Sequence, residues 1–209
     1  TLARLVEFQE NEIWKGRKEF DPDGAAVDPV SKGQDATDVQ YCYMDGLIYK
    51  LLSDSTVNRP AGATTLTESN IYTRFNACWD MIPKPMLSKR GNGGVRFHVS
   101  YKTARLWTRA QQTQTFKGID MTENGFTRFS GYDVQPLGGF PDNTILAAIT
   151  RPDYTSSTWL ALNSAEDSTT VKFAPLQANS SLWFLRMLFK RGTQIAIGAQ
   201  MVLDTTITL

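Results

Sequence analysis

The residues able to do chemistry are few and scattered. His98 is the only histidine of the 209 residues, and Cys42 and Cys78 are the only cysteines. A nucleophile activated by histidine needs an orienting carboxylate and oxyanion donors, and nothing local in "VRFHVS" supplies either. His98 therefore reads as a polar strand residue sharing a face with Arg96 and Ser100. One histidine and two isolated cysteines do not make a zinc ligand set. The acids Asp21/Asp23, Asp120/Glu123 and Glu166/Asp167 lie close in sequence, but each pair sits in a turn-like stretch where carboxylates cap and solvate backbone. "DPDGAAVD" lacks the ligand spacing and terminal Glu of a calcium loop.

Phosphate and nucleic-acid signals are equally thin. "GNGGV" has no Lys-Ser/Thr and precedes a strand, so it reads as a hairpin turn rather than a phosphate cradle. "RFHVSYKTARLWTRA" and "FLRMLFKRG" interleave cations with aromatics, as single-strand binders do. Their aromatics fall at strand or helix spacing, which predicts core-facing rings beneath solvated basic faces. No cofactor is expected, and the chain does not read as an enzyme.

The elements that would position these residues follow from periodicity. "TLARLVEFQENEIWKGRKEF" predicts a helix, with Glu7, Glu10 and Glu12 ahead of Lys15, Arg17 and Lys18, the charge order a helix dipole favours. A second helix is predicted within "DATDVQYCYMDGLIYKLLSDST", on a stripe of Tyr41, Met44, Leu47, Ile48, Leu51 and Leu52, with Asp38 as its cap. A third begins near Thr65 with a capping box to Glu68, and carries Ile71, Phe75, Cys78 or Trp79, and Ile82 until Pro83 and Pro85 close it. Val95, Phe97 and Val99 alternate on a strand, and Ser100 can cap a fourth helix with Ala104, Trp107 and Ala110 on its apolar side. From Phe126 onward the pattern is of strands separated by turns: "FTRFSGYDV", "TILAAIT", "STWLALN", "TVKFAPL", "SLWFLRMLFKRG" and "TQIAIGAQMVLDTTI". Helices first and strands later indicate α+β with largely antiparallel sheets.

Composition bounds the rest. The formal net charge is +1, with 41% hydrophobic and 21% charged residues, which allows a sizeable core and gives no global field for nucleic acid or membrane. The sum hides a split: residues 1–60 carry a net −4 and the remainder a net +5. Both cysteines lie among apolar neighbours and are expected as buried free thiols, in keeping with a reducing environment. No apolar run approaches the length of a membrane span. The chain opens on Thr, which we read as the mark of a processed, trimmed or excised piece.

The order of these parts resembles the major capsid protein of tailed bacteriophages, the Hong Kong 97-type shell fold shared with encapsulins. "TLARLVEFQENEIWKGRKEF" looks like the spine helix of that family, and "YMDGLIYKLL" is similar to the segment that follows it. "LTESNIYTRFNACWDM", "VRFHVSYKTARLWTRAQ" and "YDVQPLGGFPDNTILAAI" resemble its axial-domain series, and "STWLALNSAEDSTTVKF" and "WFLRMLFKRGTQIAIGAQMVL" its closing strands. The resemblance implies three parts: residues 1–60 as spine helix and start of the peripheral domain, 61–150 as axial-type domain, and 151–209 as closing strands returning to the peripheral domain. The resemblance implies an N-terminal arm and an extended loop before the spine helix, and we expect this piece to lack both.

The resemblance also implies a function. The chain would be a capsid subunit that assembles with copies of itself in pentamers and hexamers, into an icosahedral shell enclosing double-stranded DNA. Scaffolding or portal proteins would be further partners, with assembly in a bacterial cytoplasm and residence in the virion. Phe140 and Asp142 of the turn "PLGGFPDN", with Trp14 and Arg17 of the spine helix, are the candidate assembly contacts; Phe140 either fills its own domain or meets a neighbour. Two other readings stay open. An encapsulin-type compartment shares the fold, and a carbohydrate-binding module or glycosidase would use Trp159, Trp183 or Tyr154 as sugar platforms.

Overall fold

Alternation sets the centre of the molecule. In β1 (Val95–Ser100), Val95, Phe97 and Val99 are buried on one face of the sheet, as a period of two requires. His98 and Ser100 on the other face are buried as well, so this strand is covered on both sides. The structure, a computed structural model, describes residues 2–16, 44–87, 94–113, 128–151, 155–162, 171–175, 183–187 and 191–207.

β1 lies in a five-stranded mixed sheet of order β2-β3-β1-β4-β9, where β2 is Arg128–Phe129, β3 Tyr132–Leu137, β4 Thr144–Ile149 and β9 Val202–Thr205. β1 and β3 are parallel, Phe97 opposite Val134; the other neighbours are antiparallel. All six residues of β4 are buried. One face packs against α3 (Ile71–Asp80) and α5 (Tyr101–Thr113) through Phe75, Phe97, Trp107, Phe129 and Tyr132. Phe75 sits 4.8 Å from Trp107 and 5.3 Å from Phe129, centroid to centroid. Burying such a ring contributes about 1.5–3 kcal/mol. The other face packs against α1 (Leu2–Lys15) and α2 (Leu47–Ser53), through Ile48, Leu51, Phe140, Leu146, Met201 and Leu203.

Outside this sheet, β5 (Thr158–Leu162) pairs with β8 (Arg191–Ile195), and β6 (Val171–Pro175) pairs with β7 (Trp183–Met187), both antiparallel. The second pair is nested within the first in sequence. Each pair is a two-stranded sheet of its own, β5–β8 forming one ribbon and β6–β7 another.

Several expectations are corrected. The second helix starts at Leu47, not near Asp38: Met44–Gly46 are not helical, because Gly46 N–H bonds to Gly16 C=O at 2.6 Å where the chain crosses the end of α1. A Cβ on Gly46 would lie 2.7 Å from Trp14 C=O, so only glycine fits the crossing. Asp38 and Tyr41 fall outside the described residues. The third helix starts at Ile71, since Asn70 Oδ1 accepts from Thr67 N–H at 2.8 Å and holds a turn ahead of it. Glu68 consequently faces Arg109 at 3.4 Å rather than closing a capping box. Its apolar stripe is as read, with Ile71, Phe75, Cys78 and Ile82 buried. A short α4 (Lys84–Leu87) follows, with Pro85 in its first turn.

Two long strands are also each divided. "FTRFSGYDV" breaks at Ser130 and Gly131, both at positive φ. "TQIAIGAQMVLDTTI" breaks at a single 3₁₀ turn, Gly198–Gln200. Val202–Thr205 supplies β9 to the five-stranded sheet, with Leu146 opposite Leu203.

Candidate functional site

The second face of the sheet carries the features closest to a site. Trp14, near the end of α1, packs edge-on against Phe140 at 5.0 Å and lies 6.4 Å from the His98 ring. The approach depends on Gly139, where an added Cβ would come within 2.9 Å of the Glu10 backbone. Neither Gly138 nor Gly139 has positive φ; in this turn that conformation belongs to Asn143, whose Oδ1 accepts from Leu66 N–H at 3.1 Å. The glycines of "PLGGFPDN" thus serve close approach to α1 rather than turn angles. Phe140 is 2% exposed and fills its own domain, the first of its two alternatives.

Beside Trp14 runs a groove of about 710 Å³, lined by Leu137, Arg96, His98, Gln135 and Trp159 among others. His98 Nε2 and Thr150 Oγ1 are 3.1 Å apart. Burial and then the Arg96 cation bring its imidazole down to about 4, so the ring is neutral near pH 7. Among the described residues no carboxylate bonds to it, and its partner is a threonine just past the end of β4. Glu12 is buried with its carboxyl pushed above the usual range by desolvation, opposed by the Arg191 cation. Among the described residues, no group of three or more His, Cys, Asp or Glu is placed to hold a metal ion.

The remaining sequence candidates are dispersed. Cys78 is a buried free thiol whose ionisation is pushed up by burial, hence unreactive; Cys42 lies outside the described residues. Asp142 is exposed and accepts from Ser100 Oγ at 2.7 Å, and Ser100 Oγ in turn accepts from Thr103 N–H at 3.2 Å, capping α5 as predicted. Arg17, Tyr154 and the three acid pairs lie outside the described residues. Trp183 stands opposite Pro175 in the ribbon.

Sequence reasoning missed a buried ion pair. Arg74 of α3 grips Asp204 of β9 with both its Nε (2.7 Å to Oδ2) and a terminal nitrogen on Oδ1, while its other nitrogen bonds to Ala61 C=O at 2.9 Å and Gly62 C=O at 3.0 Å. Donating to Asp204 raises the guanidinium above its usual range. The signal was present: Arg74 stands on the same helical stripe as Ile71, Phe75 and Cys78, where a cation needs a buried partner.

On the ribbon, Trp159 is 46% and Leu160 45% exposed. Successive side chains on a strand point to opposite faces, so neither face of β5 is covered. At the base of β8, Lys50 Nζ bonds to Thr193 C=O, and Thr193 Oγ1 bonds to Asp45 C=O at 2.5 Å, tying one side of the ribbon to α2.

A mixed sheet packed by helices on both faces, with further antiparallel strand pairs outside it, is the Hong Kong 97-type shell fold. A chain from Mycobacterium phage Che8 shares it at TM-score 0.53 and 11% identity, over 74% of this chain and 55% of that one. Weaker likeness extends to a virus-like particle from Pyrococcus furiosus (TM-score 0.41, 13% identity, 75% and 59% of the two chains). It extends also to the SrpI encapsulin complex from Synechococcus elongatus (TM-score 0.43, 11%, 78% and 58%). This chain therefore spans less than two thirds of the length of each. No protein-family model matches the sequence. No curated protein matches it either.

Proposed function

We propose that the protein is a shell subunit, a structural tile that assembles with copies of itself into a closed particle around double-stranded DNA. The observation that carries this reading is the ribbon: an isolated two-stranded hairpin is marginal in water, and here it projects Trp159 and Leu160 on uncovered faces. A neighbouring copy would cover them. Head-to-tail contacts of this kind close into rings of five or six, and many modest contacts together make a stable shell through effective concentration. Likeness of fold to a phage chain supports the class, by analogy. The reading assigns no catalytic residue; Trp14 and Asp142 remain as candidate contacts at its edges, with Arg17 proposed from sequence alone. Of the two shell readings that share this fold, the phage head is the one proposed from the sequence resemblance, with the encapsulin-type compartment as its alternative.

Electron microscopy of the purified protein tests it. Uniform closed particles support the tile; dispersed single chains at high concentration, or binding of the chain to a glycan array through Trp159, contradict it.

A further inference from the structure

The face of α5 turned away from the core is unusually one-sided in charge. The helix sequence "YKTARLWTRAQQT" contains three cations and no acid. At 100° per residue, Lys102, Arg105 and Arg109 fall within about 60° of arc, on a stripe about 10 Å long. All three are exposed, while Thr103, Trp107 and Ala110 on the opposite side are buried. Two acids face the stripe from other elements: Asp142 at 3.4 Å from Lys102, and Glu68 at 3.4 Å from Arg109. Both pairs are long and solvent-exposed, so they are weak and exchangeable. Arg105 has no acidic partner among the described residues.

We infer that this stripe of α5 contacts the phosphate backbone of a nucleic-acid duplex, without reading its sequence. The inference rests on the shell reading for its partner, the enclosed DNA. Its chemistry rests on the stripe itself. Duplex DNA carries one charge per ~1.7 Å of axis, so a ~10 Å row of cations spans several phosphates. Of the rings interleaved with these cations in the sequence, Phe97 and Trp107 are buried and Tyr101 is 58% exposed. One exposed ring offers no row of platforms for successive bases, which favours backbone contact with a duplex over capture of a single strand.

The test is fluorescence anisotropy with a mixed-sequence 20-bp duplex, titrated with single chains from 50 to 200 mM salt. Three phosphate contacts predict about a 40-fold loss of affinity across that range. The K102A/R105A/R109A variant should lose a log–log slope of about 2.7, and R105Q alone about 0.9. A control variant, K15A/K84A, removes two exposed cations from α1 and α4 and should keep the native slope. The inference is overturned by undetectable binding of the native chain, by an equal loss in the control, or by an unchanged slope in R105Q. Tighter binding of single-stranded DNA or of a polyaspartate of equal charge also overturns it. Micrographs of the same preparation read particle formation separately, so loss of duplex binding with intact shells condemns the stripe and leaves the tile standing.

Discussion

The five-stranded sheet and the β5–β8 ribbon are built from similar residues, and they differ in what covers them. β4 "TILAAI" is apolar and buried along its whole length, between α3 on one face and Leu51, Phe140 and Met201 on the other. β5 "TWLAL" is as apolar, and its Trp159, Leu160 and Ala161 are exposed. The contrast teaches that composition alone does not distinguish a core strand from a docking strand. The sheet completes its own core within one chain; the ribbon leaves Trp159 and Leu160 exposed, which is where the proposed shell contact would fall.

Breaking the self-sufficient half should have the largest effect. Replacing Asp204 by Ala strands the Arg74 charge between α3 and β9, and should cost about 3–5 kcal/mol. Urea denaturation would read this as a lower midpoint with an unchanged slope. Next comes acid. His98 is held neutral with its folded-state value lowered to about 4, while the unfolded chain takes up the proton near 6.5. The unfolded state therefore binds more protons between these values, and stability falls as pH drops from about 6.5 to about 4, by roughly 3 kcal/mol in all. Glu12, with its carboxyl raised, pulls the other way over the lower part of that window. Melting temperatures of H98Q, which retains a side chain able to bond Thr150, should depend less on pH across it.

The smallest effect on the single chain should come from the ribbon. Substituting Trp159 by Ser with Leu160 by Lys touches exposed side chains, so the melting of the isolated chain should shift by no more than about 0.5 kcal/mol. Sedimentation should nevertheless show self-association lost. An equal loss of chain stability would place these residues in the core and break the contrast.

Much of this division was legible in the sequence, and the failures have physical causes. The stripe of Ile71, Phe75, Cys78 and Ile82, the alternation in β1 and the Ser100 cap are local patterns, and the structure shows them as read. The start of α2 was misplaced because the crossing of Gly46 over Gly16 is a contact thirty residues apart in sequence. His98 was read as a surface-facing residue, since one strand cannot show that Trp14 covers its second face. Gly138 and Gly139 mark a turn in the sequence, but their closeness to Glu10 is tertiary and has no local sign. The pairing of β9 with β4 could not be read, because strand pairing across fifty residues leaves no mark on periodicity.

Amide hydrogen exchange, followed from dilute single chains to concentrated assembled protein, puts the central claim to its most direct trial. The account predicts that amides of 144–149 are protected at every concentration, while those of 158–162 and 191–195 gain protection only as the chains associate. Ribbon amides as protected as those of β4 in dilute single chains would contradict it.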